Sequence, residues 1–446
     1  MLLLQIAKRK QRTDMQLSEL YRIFQERPHI ITDSRQIEEG AIFLALKGER
    51  FDGNQYARQA IEQGCAYAVI DEPEYDDPND DRIILVDDCL ATLQALARLH
   101  RRTLGTHIIG VTGTNGKTTT KELIATVLGK KYNVLFTEGN LNNHIGVPKT
   151  LLRLRPDHDI AVVEMGANHP GEIKTLVNIA EPDYGIITNV GMAHLEGFGS
   201  FEGVVRTKGE LYDFLRQREN SVVFIHHENE HLHGIAQGLH LVEYGTEGDH
   251  LYVEGRLIAC DPYLRFEWRK EGGEWHTVAT QLIGAYNLYN MLAAACIGCY
   301  HDVEAHLIDE ALGNYRPTNN RSQMQLTEHN RLVVDTYNAN PTSMKAALDN
   351  FVLMDVKPKM VILGSMGELG AVSEEEHRKV VKRLEEAGFE QVWLVGKEFG
   401  KIPCAFRKFA DVEEVKAELA VHKPEGFCIL IKGSNSTKLF QLPPYL

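Results

Sequence analysis

The chain has 446 residues, 43% hydrophobic and 25% charged, a globular balance with room for about three domains at roughly 150 residues each. Its formal net charge of −14 argues against a broad nucleic-acid footprint, because phosphate backbones are held by excess Lys and Arg, yet one phosphorylated small molecule could still sit on a loop of backbone N–H groups. Seven cysteines, an odd number in a long chain, argue against a disulfide framework, and no run approaches the roughly 20 apolar residues of a membrane span. The setting these features predict is the cytoplasm.

Residues 1–14 place a short apolar run before Lys8-Arg9-Lys10, the reverse of a secretory signal, and read as a disordered extension. Residues 15–97 alternate helical patterns with the apolar runs Ala41–Leu46 and Tyr67–Ile70, which predicts a small α/β domain. The acidic run Asp76–Asp81, broken by Pro78, reads as a solvated loop. A Leu- and Ala-rich helix from Leu90 to His100 leads into a second domain, 98–316, where the rhythm becomes strand, glycine turn, helix. Its strands His107–Thr112, Ile160–Val163 and Tyr184–Thr188 are continuous apolar runs separated by helices, which predicts a parallel sheet covered on both faces. The histidine-rich stretch His226–His233 reads as a solvated loop away from the strand ends, and Cys296 and Cys299 as core residues of a buried helix. A third α/β pattern, 317–446, has strands at Arg331–Asp335, Met360–Leu363, Gln391–Val395 and Cys428–Ile431, with a capping box at Ser373–Glu376 starting one helix.

The chemistry concentrates after the strand His107–Thr112. Gly113, Thr114, Asn115, Gly116, Lys117, Thr118 and Thr119 lie between a strand and a helix, as a phosphate-binding loop must. Glycines let N–H groups approach phosphate oxygens, Lys117 can reach the β/γ-phosphates of ATP, and the Thr118 hydroxyl can ligate Mg²⁺. The strict pattern wants a glycine where Val111 stands, so a plain glycine turn is the competing reading. Ligands collect at the carboxyl ends of strands in an open parallel sheet. Glu164, following Ile160–Val163, is placed as a carboxylate for Mg²⁺, and His194, following Tyr184–Thr188, is either a ligand or structural. From spacing alone Lys208 is a surface lysine.

These residues, in this order, resemble the Mur ligases of peptidoglycan synthesis. The markers are Gly113–Thr119, Glu164-Met165-Gly166, Asn189–His194, Thr207–Glu210 and Gly284–Asn290, and the likeness runs from Met15 onward. Tyr337–Pro341, Gly139–Pro148 and Leu363–Gly370 resemble the branch that adds a dipeptide. The resemblance implies three α/β domains, with a central P-loop parallel sheet and a C-terminal Rossmann-like domain. It implies an ATP- and Mg²⁺-dependent amide ligase acting on UDP-N-acetylmuramoyl-tripeptide and D-alanyl-D-alanine as a monomer. Thr118, Glu164 and His194 match the family's magnesium positions, and Lys208 matches a lysine that is often carbamylated, which turns a cation into an anionic oxygen ligand. Asn287 and Asn290 match residues near the adenine, and Arg321 and Asp335 match contacts to phosphate and ribose. Ser34, Arg35 and Asp52 resemble the uridine-nucleotide pocket. Asn140, Asn142 and Asn143, with Tyr337, Asn338 and Asn340, fall in the motifs that resemble the substrate-binding segments. Ser365, Asn435 and Asn54 depart from common Asp, Arg and His. Two rivals remain open at this stage: a sister ligase with another amine acceptor, and a nucleotide-dependent switch protein that makes no amide.

Overall fold

The computed structural model describes residues 17–317 and 321–446; the expected extension at 1–14 lies outside them. The chain forms two compact units. One comprises Met1–Gly110, Asn133–Met165 and Lys174–Asp183, the other Val111–Tyr132, Gly166–Ile173 and Tyr184–Leu446.

In the first unit, Ile30–Ile31, Ile42–Leu44, Tyr67–Ile70 and Ile83–Leu85 form a parallel sheet in that order, with Ile42 opposite Tyr67 and Ala68 opposite Ile83. The apolar run Ile42–Leu44 is buried throughout, the pattern of a strand covered on both faces. The helix Cys89–Leu104 starts at Asp88, whose carboxylate accepts from Ala91 N, and stops at Gly105 in the left-handed conformation. Near its end the buried Arg101 donates to the Ala180 carbonyl at 3.0 Å and to Asp183 at 3.0 Å. The strands Val134–Phe136 and Ile160–Glu164 pair in parallel, Val134 opposite Ile160. The acidic run is held by ion pairs to arginines outside it, Asp80 with Arg82 and Asp77 with Arg58.

In the second unit, Tyr184–Ile187, Val222–His226, Leu241–Gly245 and Val253–Cys260 run parallel. Two antiparallel strands, Tyr263–Lys270 and His276–Ile283, then extend the sheet. This meander is absent from the sequence reading, although Leu264, Phe266 and Trp268 alternate with polar residues as a half-buried strand should. The helix Leu288–Tyr300, almost entirely apolar, covers it, and Leu292 lies so close to Gly255 that a Cβ there would come within 2.3 Å. Cys296 and Cys299 are buried on this helix, as expected. A six-stranded sheet follows, ordered Gln323–Leu326, Arg331–Asp335, Cys428–Lys432, Lys359–Gly364, Gln391–Val395, Arg407–Phe409. All its pairs are parallel except the first, and an apolar core lies on each face.

Two local expectations are corrected. The helix Ser373–Ala387 takes Val372 as its N-cap with no side-chain bond, because a 3₁₀ turn at Gly370–Val372 runs directly into it, so the capping box does not form. The stretch His226–His233 is no free loop: His226 ends a strand, and Glu230–Ile235 is a helix capped by Asn229. Among the described residues, no helix is long and apolar enough to cross a membrane.

Candidate active site

The loop after His107–Thr112 is held open by its glycines and clamped by a neighbouring strand end. Gly113 has φ +143°, and a Cβ there would meet Thr188 Oγ1 at 2.0 Å. Gly116 has φ +77°, and its Cβ would come 2.8 Å from Asn290 Oδ1. The segment Thr188–Gly191 braces the loop bond by bond. Thr114 N donates to Asn189 O at 2.9 Å and Asn115 N to Asn189 Oδ1 at 3.0 Å. The Asn115 carbonyl accepts from Thr188 Oγ1 at 2.6 Å and from Asn189 Nδ2 at 2.9 Å, while Gly191 N donates to Thr114 Oγ1 at 3.0 Å. Thr188 and Asn189, which the sequence reading gave no role, are therefore what shapes the loop. The signal for Asn189 was the motif Asn189–His194 itself, which Thr188 immediately precedes.

Lys117 opens the helix Lys117–Leu128, and its ammonium donates to the Gly113 and Thr114 carbonyls at 2.9 and 3.1 Å. The charge is thus held over its own loop at a helix N-terminus, where anions are favoured. Thr118 and Thr119 follow on the same turn, both buried. Asn287 and Asn290 are buried too: Thr120 Oγ1 donates to Asn290 Oδ1, Asn290 Nδ2 to Asn287 Oδ1, and Asn287 Nδ2 to Ile283 O. These bonds fasten the loop helix to the start of Leu288–Tyr300.

His194, at φ +51°, points Nδ1 at the carboxylate of Glu368, a partner sequence reasoning missed although it lies in the motif Leu363–Gly370. Burial holds the His194 pKa below its ordinary 6.5; Glu368 opposes this, and Lys117 and Lys208 reinforce it. A neutral imidazole that donates from Nδ1 to a carboxylate keeps its Nε2 lone pair outward, the tautomer a metal ligand needs. Lys208 is not the surface lysine its spacing suggests. It is 2% exposed on the helix Phe201–Leu215, donates to Ala167 O at 3.2 Å and lies 5.2 Å from the Phe198 ring centre. Burial, then repulsion from Lys117, pulls its pKa well below the lysine range.

In the first unit, Glu164 is 1% exposed; its Oε1 accepts from Asn142 Nδ2 at 2.8 Å, while its buried Oε2 has no hydrogen-bond partner. A buried carboxylate oxygen left free in this way suits a cation ligand. Asn143 Oδ1 accepts from Gly146 N at 2.8 Å just before the helix Gly146–Leu151, and Asn140 is exposed. Arg35 grips Asp33 with two bonds, at 2.9 and 2.7 Å, and pulls its carboxyl down to about 2; Ser34 lies between them. Asp52 caps the turn Gly53–Tyr56, and the buried Asn54 bridges Asp52 and Asp71.

In the C-terminal sheet, Asp335 pairs with the buried Lys432 at 2.5 Å, and Arg321 lies 3.8 Å above the Tyr337 ring. Asn338 Oδ1 accepts from Ala339 N. Asn340 caps the helix Pro341–Leu353 through a capping box with Ser343, and its Nδ2 donates to Asn115 Oδ1 at 2.7 Å. Both polar ends of Asn340 are therefore engaged within the fold.

Three family models match in sequence: a Mur ligase catalytic domain over residues 28–101, a Mur ligase middle domain over 111–298, and a Mur ligase glutamate ligase domain over 320–435. The chain is 36% identical to the UDP-N-acetylmuramoyl-tripeptide–D-alanyl-D-alanine ligase of Bacillus subtilis, covering 93% of this chain and 92% of that one. It is 33% identical to the Escherichia coli ligase of the same name, over 92% and 91%. Among solved structures it is similar to MurF from Acinetobacter baumannii, with a TM-score of 0.85 and 31% identity over 93% of this chain and 92% of that one. It is also similar to the Thermotoga maritima MurF ligase in complex with ADP, with a TM-score of 0.83 and 27% identity over 94% and 96%. The clamped glycine loop, the lysine at its helix start and this likeness along the whole sequence agree, and the chain belongs to the Mur ligase family.

Proposed function

We propose that the chain joins D-alanyl-D-alanine to UDP-N-acetylmuramoyl-tripeptide in an ATP-dependent amide ligation, in the cytoplasm and as a monomer. The observation that carries this reading is the unbroken likeness, through all three family regions, to ligases of that name. The tripeptide carboxylate is activated as an acyl phosphate, and the dipeptide amine then displaces phosphate.

Two anions must meet for the first step, so Lys117 and the loop N–H groups counter the polyphosphate charge. Mg²⁺ would supply the remaining neutralisation when bound; Thr118, Glu164 and His194 are the residues that would hold magnesium, and a carbamylated Lys208 would be an oxygen ligand for a second ion. Glu164 suits this role through its unpartnered oxygen, and His194 through the tautomer Glu368 selects. Lys208 suits carbamylation because a depressed pKa leaves a neutral, nucleophilic amine. Asn287 and Asn290 would position the nucleotide, with Arg321 and Asp335 contacting it from the C-terminal sheet. Ser34, Arg35 and Asp52 would meet the uridine nucleotide, and Asn140, Asn142 and Asn143 the peptide. Tyr337 and Asn338 would receive the dipeptide, with Asn340 holding their segment in place.

The test is a complete reaction mixture followed by mass spectrometry and phosphate release. Phosphate and the pentapeptide product should both require the UDP-muramoyl-tripeptide and D-alanyl-D-alanine. Product formed with a single amino acid in place of the dipeptide would move the chain to a sister ligase, and nucleotide binding with no amide product would make it a switch protein.

A further inference from the structure

A second cluster of ligating side chains lies in the second unit, outside the ligase residues. His227 follows the strand Val222–His226, His233 sits on the helix Glu230–Ile235, and Glu243 lies on the parallel neighbour Leu241–Gly245. One ligand atom from each falls within 4.8 Å of the other two. His227 Nδ1 is 2.5 Å from Glu243 Oε2, and His233 Nε2 is 3.8 Å from the same oxygen. The two imidazoles meet edge to face, their centres 5.8 Å apart.

An ion pair between His227 and Glu243 accounts for two of the three. It leaves His233 Nε2 buried and, among the described residues, without a hydrogen-bond partner. The orientation of His227 is also fixed from behind. Gly248, at φ +152°, packs so closely that a Cβ would lie 2.8 Å from His227 Nε2, which leaves Nδ1 facing Glu243. The nearby Glu228 is committed elsewhere: it accepts from Thr246 Oγ1 at 2.7 Å and Glu247 N at 2.9 Å, and lies 3.0 Å from His226 Nε2.

We propose that His227, His233 and Glu243 bind a divalent transition-metal ion of the zinc class. Two imidazoles and one carboxylate suit Zn²⁺, Ni²⁺ or Cu²⁺, whereas Mg²⁺ and Ca²⁺ prefer all-oxygen shells. The three side chains are 37%, 31% and 32% exposed, so water reaches the cluster and can complete a fourth position. An ion at about 2.0–2.2 Å from each ligand gives His233 Nε2 a partner and ties the helix Glu230–Ile235 to the strand ends beneath it. The neighbouring His226 ring centre lies 4.0 Å from that of Tyr289, within the segment Gly284–Asn290 whose Asn290 packs against Gly116. The ion would therefore stiffen the ground on which the nucleotide loop rests.

The experiment uses the full chain without an affinity tag, stripped with chelator and held in excess Mg²⁺ so that hard-cation positions are filled. Zn²⁺ alone is titrated against a chromophoric chelator, and Co²⁺ is added separately to read the ligand field. One ion should bind with micromolar affinity or better, raise the thermal midpoint, and give with Co²⁺ the visible band of a low-coordinate nitrogen–oxygen site. His233→Ala and Glu243→Gln should each weaken binding by about tenfold or more. His231→Ala, on the same helix with its ring against Phe201, should leave it unchanged. Equal affinity in the unsubstituted chain and in His233→Ala, or no Zn²⁺ uptake at micromolar concentrations, overturns the proposal. If His233→Ala fails to fold, the Co²⁺ spectrum of the unsubstituted chain decides, since the absence of a band is also fatal.

Discussion

Lys208 sets stability against function within one side chain. Burying a basic amine beside Phe198, where it donates to the Ala167 carbonyl, is costly whether it keeps its proton or gives it up, and an apolar side chain of similar length carries no such cost. Lys208→Met should therefore raise the thermal midpoint of its unit, by an increment worth about 1 kcal/mol or more, while ligase turnover falls to background. A lower midpoint would mean that the lysine contributes to packing rather than costing it. Glu368 acts on His194 at one remove. Glu368→Gln removes the carboxylate that fixes the imidazole tautomer, so the Mg²⁺ concentration giving half-maximal turnover should rise about 10–100-fold with little change in folding. An unchanged Mg²⁺ requirement would show that the pair serves only to hold the two segments together.

At the scale of elements, the cap of Pro341–Leu353 separates two jobs of Asn340. Asn340→Ala loses both the cap and the bond to Asn115, and should cost about 1 kcal/mol of stability along with a higher KM for ATP. Asn340→Asp keeps the capping oxygen but turns the Asn115 contact repulsive, so the KM effect should persist with stability near normal; thermal melts beside ATP titrations separate the two. The elements legible in the sequence were those whose apolar runs are continuous. His107–Thr112, Arg331–Asp335 and Gln391–Val395 fall where those runs predict. The meander Val253–Ile283 was not read, because exposed apolar residues such as Leu257 and Ile258 interrupt its alternation; the Gly272-Gly273 turn between its last two strands is the mark that the reading passed over. The site was legible as a set of loop and strand-end residues. Its supports were not: the partners of His194 and Asp335 lie 174 and 97 residues away in sequence, a separation no local pattern encodes.

For the whole molecule, the two compact units do not follow the three family regions, since the loop helix Lys117–Leu128 belongs to the unit that also contains the C-terminal sheet. Nucleotide binding should be felt accordingly. ADP with Mg²⁺ at about one hundred times its Kd should stabilise that unit by about 2.7 kcal/mol. Hydrogen exchange should slow at Gly113–Thr119 and at the bracing segment Thr188–Gly191, with the distal strand Tyr263–Lys270 unaffected; slowing confined to that strand would contradict the loop assignment. The apolar seat of Lys208 also has a consequence for how the protein is handled. The proposed carbamate of Lys208 forms from an uncharged amine and dissolved carbon dioxide, so on that proposal the working enzyme would depend on a gas. Protein dialysed into degassed buffer should lose turnover slowly and regain it on addition of bicarbonate. Activity that is indifferent to bicarbonate in the unsubstituted chain would leave the lysine as an amine.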